Sequence, residues 1–200
     1  MSKNLVMVFT RNPELGKVKT RLAKTIGDNN ALKVYKYLLD HTHHTLLQLN
    51  IDKAVYYSVA IREDDIWNSN QFQKHLQQGE DLGLRMQHAF ESAFKANYDK
   101  VIIIGSDLLD LKANHIQKAL DALDTNDIVI GPAQDGGYYL MGMKTLFPKV
   151  FQNKNWGTDS VFQDTMQDLQ NLDVHLLDEL NDIDTFEDFK VYPELKQLIE

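Results

Sequence analysis

The sequence predicts a doubly wound α/β fold with a largely parallel sheet covered on both faces, and three observations carry that reading. Apolar, β-branched runs alternate with helical patterns along the chain. The run Val101, Ile102, Ile103, Ile104 is apolar at every position, as a strand buried on both faces must be. From Leu82 onward, Leu82, Met86, Ala89, Phe90, Ala93 and Phe94 recur at three- and four-residue steps, the period of a helix that buries one face.

Taken in order, strands are predicted over residues 4–10, 53–59, 100–105, 127–131, 138–143 and 173–177. Helices are predicted near 30–48, over 82–97, and near 113–123 and 159–171, with a further helix opening near Val18. Residues 62–79 are polar and weakly patterned and suggest no element. Nothing resembles an internal repeat, a low-complexity tract or a Pro/Gly-rich linker, so residues 1–200 are read as one domain.

Composition narrows the function. Two hundred residues that are 43% hydrophobic suffice for one well-filled core. The chain has no cysteine, which removes disulfides, thiolate metal sites and a cysteine nucleophile. The apolar run from Leu5 to Phe9 falls far short of the roughly 18 residues of a membrane span, and no small-residue cleavage site follows it, so a cytoplasmic protein without a membrane span is expected. A formal net charge of -8 argues against nucleic acid as a partner and for a small molecule. A homo-oligomer is compatible with this composition.

That acidic balance inverts locally. Arg11, Lys17, Lys19, Arg21 and Lys24 face only Glu14 and Asp28 between residues 11 and 28, and a basic island in an acidic chain suits an anionic ligand. Because this loop follows the first strand, it lies where open α/β sheets bind ligands. Gly16 permits a tight turn, and several cationic donors could converge on phosphate oxygens. The spacing matches neither the P-loop nor the Gly-x-Gly-x-x-Gly pattern, and a solvated basic turn is the bland alternative.

The loop after the central strand, Gly105-Ser106-Asp107, sets an aspartate at the tip of a hydrophobic strand. Such a carboxylate must be solvated, paired or coordinated, and a hard divalent cation is one partner; capping the next turn is the other reading. Asp110 reads as an ordinary turn or cap residue. In GPAQDGGYYL, Gly136 and Gly137 suggest a turn or a close backbone approach, while Asp135 keeps a role toward a substrate hydroxyl open. Near the C-terminus, Glu187 and Asp188 read as favourable acids in a first helical turn. Asp182 or Asp184 could return to the centre and complete a cation site with Asp107. His41, His43 and His44 cluster in a helix, but their spacing does not put all three on one face, which argues against a zinc site.

Together, R-N-P-x-x-G-x-V-K-T-R-L, D-L-G-x-R-M, I-I-I-G-S-D, G-P-A-x-D-G-G-Y-Y-L, W-G-T and D-I-D-T-x-E-D resemble a bacterial family of nucleotide-diphospho-sugar transferase fold. That family is also called radical-SAM/selenodomain-associated or glycosyltransferase-like. The likeness spans nearly the whole chain and implies a GT-A type, Rossmann-like sandwich with Mg2+ or Mn2+ near Asp107. It further implies that Arg11, Lys19 and Arg21, with Lys17 beside them, meet phosphates; that Asp81, Gly83 and Arg85 lie near the nucleotide; and that Asp107, helped by Asp182 or Asp184, holds the metal. Asp135, Gly136, Gly137 and Tyr138 fall on the acceptor side. The chain departs from the pattern at Leu108 and Leu109, where the family has Cys-Pro, and at Gly157, where it has Ser.

Three functions follow as expectations. The first is glycosyl transfer from a nucleotide sugar to a small acceptor, with a carboxylate such as Asp135 assisting the acceptor hydroxyl. The second is guanylyl- or cytidylyl-type transfer from a nucleoside triphosphate to a phosphorylated acceptor, since a triphosphate would use the basic island more fully. The third is a nucleotide-binding module without turnover.

Overall fold

The computed structural model describes residues 2–199. Among the described residues, seven strands and seven α-helices follow in the order β1 (Asn4–Thr10), α1 (Thr20–Ile26), α2 (Asp28–Leu47), β2 (Asp52–Tyr57), β3 (Gln73–Leu76), α3 (Leu82–Lys95), β4 (Lys100–Ile104), α4 (Ala113–Ala122), β5 (Ile128–Pro132), β6 (Tyr138–Met143), α5 (Val161–Asp168), β7 (Val174–Leu176), α6 (Phe186–Lys190) and α7 (Pro193–Gln197). A 3-10 turn at Pro148–Phe151 precedes α5.

The strands form a single sheet in the order β3-β2-β1-β4-β6-β5-β7. Every neighbouring pair is parallel except those made by β6, which runs antiparallel to both β4 and β5. The predicted mostly parallel, doubly wound α/β architecture is therefore observed, and β6 is its one reversed strand.

The apolar strands serve two cores at once. Alternate residues of β1 point to opposite faces: Val6 and Val8 join Tyr35, Leu39 and Leu46 of α2 and Ile116 and Leu120 of α4, while Leu5 and Met7 join Met86, Ala89, Phe90 and Ala93 of α3. Ile102 and Ile104 of β4 follow the first group, and Val101 and Ile103 the second. This double burial is why β4 shows no polar alternation. A third cluster, Leu22, Val34, Leu38, Ile183, Phe189 and Leu195, ties α1 and α2 to the C-terminal helices.

Element boundaries depart from expectation in instructive places. The second strand ends at Tyr57, two residues short of 53–59, because the chain turns there to meet the loop after β1. The helix expected near Val18 starts at Thr20. Edge strand β3, Gln73-Lys74-His75-Leu76, lies inside the stretch that suggested no element; it is at most half-buried and so shows no apolar alternation. No described helix is long and apolar enough to cross a membrane.

Candidate functional site

The sheet order reverses between β1 and β4, which are adjacent and parallel, and the loops leaving their C-terminal ends diverge to open a crevice. A cleft of about 990 Å³ lies there. Arg11, Lys17, Lys19, Arg21, Asp81, Arg85, Asp107, Asp135, Gly137, Tyr138, Asp182 and Asp184 all line it. Residues from five separate stretches of sequence thus share one cavity.

The basic wall is pinned from behind. Tyr35 of α2 accepts a hydrogen bond from the Arg11 amide at 2.9 Å and donates to the Arg11 carbonyl at 3.0 Å. Buried Asn12 accepts from the Val59 and Ala60 amides at 2.9 and 3.2 Å and donates to the Ala60 carbonyl at 2.7 Å. These bonds lock the loop after β1 to the loop after β2. Arg21 and Lys17 stay largely solvated, and Lys17 pairs with Glu14 at 3.1 Å.

The acidic centre is assembled by backbone. The Ile183 amide donates to the Asp107 carbonyl at 3.0 Å while the Ile183 side chain is fully buried, so Asp182 and Asp184 on either side of it are held beside Asp107. Thr185 caps α6, and Asp188 accepts from the Asp184 and Thr185 amides at 3.2 and 2.7 Å, which fixes the end of this segment. Burial would raise the Asp188 carboxyl, but its bonds from Asn181, Thr185 and Asp184 outweigh it and hold the group below the ordinary carboxylate range. The structural reading of Asp188 is borne out. Asp110 likewise accepts from the Tyr192 hydroxyl at 2.6 Å.

Lys19 closes the cluster. Its side chain is only 4% exposed, and its ammonium lies 2.9 Å from Asp107 Oδ2 and 3.7 Å from Asp184 Oδ1. It reaches that position from a left-handed backbone conformation, φ 47° and ψ 44°, at the N-terminal boundary of α1. A non-glycine residue holds such a conformation only when its surroundings repay the strain. Burial works against the ammonium, yet Asp107, Asp184 and Asp182 raise the Lys19 pKa above its ordinary value. Arg21 bonds Asp184 Oδ2 at 3.0 Å. Asp182 is pushed up to about 7, first by burial and then by the Asp107 charge, and the cluster sets three carboxyl groups against two cations. Carboxylate oxygens in excess of cationic partners suit a hard divalent ion. The three acids are not, however, a closed ligand cage: their oxygens do not all come within 4.8 Å of one another.

Two glycines expected at the ligand are instead packing positions. A Cβ on Gly83 would stand 2.3 Å from the Phe151 carbonyl and 2.6 Å from the Trp156 ring, so Gly83 lets α3 seat against Trp156. Gly136, at φ 87°, would place a Cβ 2.2 Å from the Asp159 carbonyl, and its own carbonyl accepts from the Phe162 amide at 2.8 Å. Neither lines the cleft; Trp156, which the sequence offered only as part of the W-G-T motif and without a site role, does. Asp81 lines it but also caps α3, accepting from the Leu84 amide at 2.8 Å. Asp135 accepts from the Gly137 amide at 2.8 Å and leaves one oxygen uncommitted to any described residue. The Tyr138 hydroxyl is buried without a hydrogen-bond partner among the described residues, and burial raises its pKa.

Leu108 and Leu109 also find their reason here. Leu108 is buried in the core under α2 and α4 and also borders the cleft, while Leu109 packs against the C-terminal cluster, so both fill apolar space. The three histidines do not share one site: His41 bonds the Leu111 carbonyl at 2.9 Å, whereas His43, packed on Trp67 and Phe72, and His44 bring ring nitrogens within 4.8 Å of each other and of an Asp40 oxygen, away from the cleft.

A switch-point cleft with a cationic loop on one side and a carboxylate cluster on the other, in this strand order, defines the Rossmann-like fold of the nucleotide transferases. The chain belongs to the bacterial family described as "Uncharacterized protein conserved in bacteria (DUF2064)", whose model matches residues 41–158. It is 37% identical to a provisionally assigned nucleotide-diphospho-sugar transferase from Desulfovibrio desulfuricans, over 96% of this chain and 86% of that one, with a TM-score of 0.88. Two more distant structures share the fold alone. A 4-diphosphocytidyl-2C-methyl-D-erythritol synthase from Anaerococcus prevotii has 12% identity and a TM-score of 0.63, covering 98% of this chain and 96% of that one. The inositol-1-phosphate CTP transferase from T. maritima has 14% identity and a TM-score of 0.58, covering 100% and 96%. No curated protein matches the chain.

Proposed function

We propose that the protein is a metal-dependent transferase that takes a nucleotide sugar as donor and passes the sugar to a small acceptor bearing a free hydroxyl. One observation carries the choice of acceptor. The cations that line the cleft are Arg11, Lys17, Lys19, Arg21 and Arg85, and none of the lining residues between 133 and 161 is a lysine or arginine. That wall offers Asp135, Tyr138, Trp156 and Thr158 instead. A phosphorylated acceptor would meet carboxylate there and be repelled, whereas a sugar or alcohol could stack on Trp156 and give its proton toward Asp135.

On the donor side, Arg11, Lys17 and Arg21 would bind the diphosphate. Asp107, with Asp182 or Asp184, would hold Mg2+ or Mn2+, which supplies neutralisation of the charge that builds on a departing diphosphate. The similarity to the Desulfovibrio protein supports a nucleotide-linked donor.

A second reading, nucleotidyl transfer from a nucleoside triphosphate, is favoured by the density of cations on the loop after β1 and by the fold shared with cytidylyl-type enzymes. Product analysis separates the two. The protein would be incubated with Mg2+ or Mn2+, a panel of nucleotide sugars or triphosphates, and hydroxyl or phosphorylated acceptors. Nucleoside diphosphate release that requires a hydroxyl acceptor supports glycosyl transfer. Pyrophosphate release that requires a phosphorylated acceptor refutes it in favour of the second reading, and ligand binding with neither product would leave a nucleotide-binding module.

A further inference from the structure

Lys19 differs from the other cations of its loop. Its side chain is 4% exposed, against 65% for Arg21 and 74% for Lys17. Removing an ammonium from water is costly, so its position depends on the carboxylates around it. Asp107 Oδ2 and Asp184 Oδ1 lie nearest to it, at 2.9 and 3.7 Å.

A divalent cation held by Asp107 and Asp184 would claim the oxygens that the ammonium already faces. Formal charge points the same way. With all three ionised, Asp107, Asp182 and Asp184 bring three negative charges, which Lys19 and Arg21 reduce to one, and a proton on Asp182 leaves none. A dication added beside both would leave a net positive charge in a partly buried site whether or not Asp182 is ionised, whereas a dication in place of Lys19 leaves none once Asp182 has lost its proton. The ammonium has somewhere to go, because Arg11, Lys17 and Arg21 line the same cleft and an anion they gather offers it a second partner.

We infer that Lys19 is a resident counter-ion that keeps the carboxylate cluster closed to divalent cations until a phosphate group draws its ammonium away, so that the cation enters with or after the nucleotide. This rests on the reading of Asp107 and Asp184 as cation ligands.

The test is Mn2+ binding to the nucleotide-free protein, followed by the electron paramagnetic resonance signal of the free ion. Lys19→Met is expected to bind Mn2+ at least ten-fold more tightly than wild type, and adding Asp107→Asn is expected to abolish the gain. Lys19→Met binding no tighter than wild type, or a gain that survives Asp107→Asn, overturns the inference. If Asp107→Asn lowers Mn2+ binding in wild type while Lys19→Met gains nothing, the cation site stands and only the counter-ion role falls. If Asp107→Asn alters binding in neither background, the cation site falls as well. Should Lys19→Met not fold, the 15N resonance of the Lys19 ammonium in wild type decides the matter. Millimolar Mg2+ alone is expected to leave it in place, and Mg2+ with pyrophosphate to move it. A resonance that Mg2+ alone displaces, or that magnesium pyrophosphate leaves unmoved, overturns the inference.

Discussion

The Lys19 ammonium and the Asp107 carboxylate lie 2.9 Å apart, 88 positions separated in sequence, joining the loop after β1 to the loop after β4 in the wall of the cleft. Asp107→Asn leaves a buried ammonium with Asp184 as its nearest full charge. The expected loss of stability is about 1–3 kcal/mol, below the roughly 3–5 of a fully buried pair because Asp107 is a third exposed. Urea unfolding of the two proteins checks it, and an unchanged midpoint would show the pair to be energetically idle.

Gly83→Ala is expected to cost roughly 2–4 kcal/mol, because the new methyl meets the Phe151 carbonyl and the Trp156 indole and α3 must shift to admit it. Since Trp156 lines the cleft, ligand affinity should fall with the melting temperature. Gly83→Ala together with Trp156→Ala should recover part of the stability; a double variant worse than the sum of the two would argue against the clash.

Tyr138→Phe should leave the free protein as stable as wild type or slightly more so, since it removes a buried hydroxyl that has no partner among the described residues. A loss above about 1 kcal/mol would reveal a bond to an ordered water.

Acid should weaken the protein partly through Asp168. Burial alone would raise this carboxyl, but Lys154 and Lys149 outweigh it and hold it below its ordinary value. A group whose folded pKa is depressed contributes fully above its unfolded pKa, about 3.9, and loses that contribution as pH falls through the folded value. Asp168→Asn should therefore flatten the fall in stability below about pH 4, measured by unfolding across the acid range. An identical slope in the variant would rule the ion pairs out as a source of acid sensitivity.

Arg21→Ala should weaken binding of a nucleoside diphosphate about five- to thirty-fold, the worth of one charge-assisted contact of roughly 1–2 kcal/mol, with little change in melting temperature of the free protein because Arg21 is two-thirds exposed. Calorimetric titration of both proteins checks it.

Much of this architecture can be read from residue order, and the exceptions have physical causes. Residues 4–10 and 138–143 declare themselves as strands because they are bounded by turns and apolar enough for a two-sided core. Edge strand β3 does not, since a polar strand that is half-solvated leaves no period in the sequence. The cationic loop and the acids at 107, 182 and 184 are conspicuous as charge, but their pairing is not. Which carboxylate meets Lys19 depends on the Ile183 amide reaching the Asp107 carbonyl, a contact 76 residues apart that only the folded sheet defines. Gly83 and Gly136 invite a ligand reading because glycine marks close approach without saying to what. The approaching groups are Trp156 and Asp159, which no local pattern could announce.

The reversed strand β6 has a consequence for how such a protein diversifies. Because β5 and β6 form a hairpin, the lining residues from Ala133 through Val161 come from one uninterrupted stretch of chain, whereas the cationic and acidic clusters draw on loops scattered from residue 11 to residue 184. A single crossover or insertion within that stretch can replace an entire wall of the cavity while every long-range ion pair opposite it is inherited intact. The chemistry of that one wall is thus the property this scaffold can exchange in one genetic event, and the ion-pair network opposite it the property such an event leaves in place.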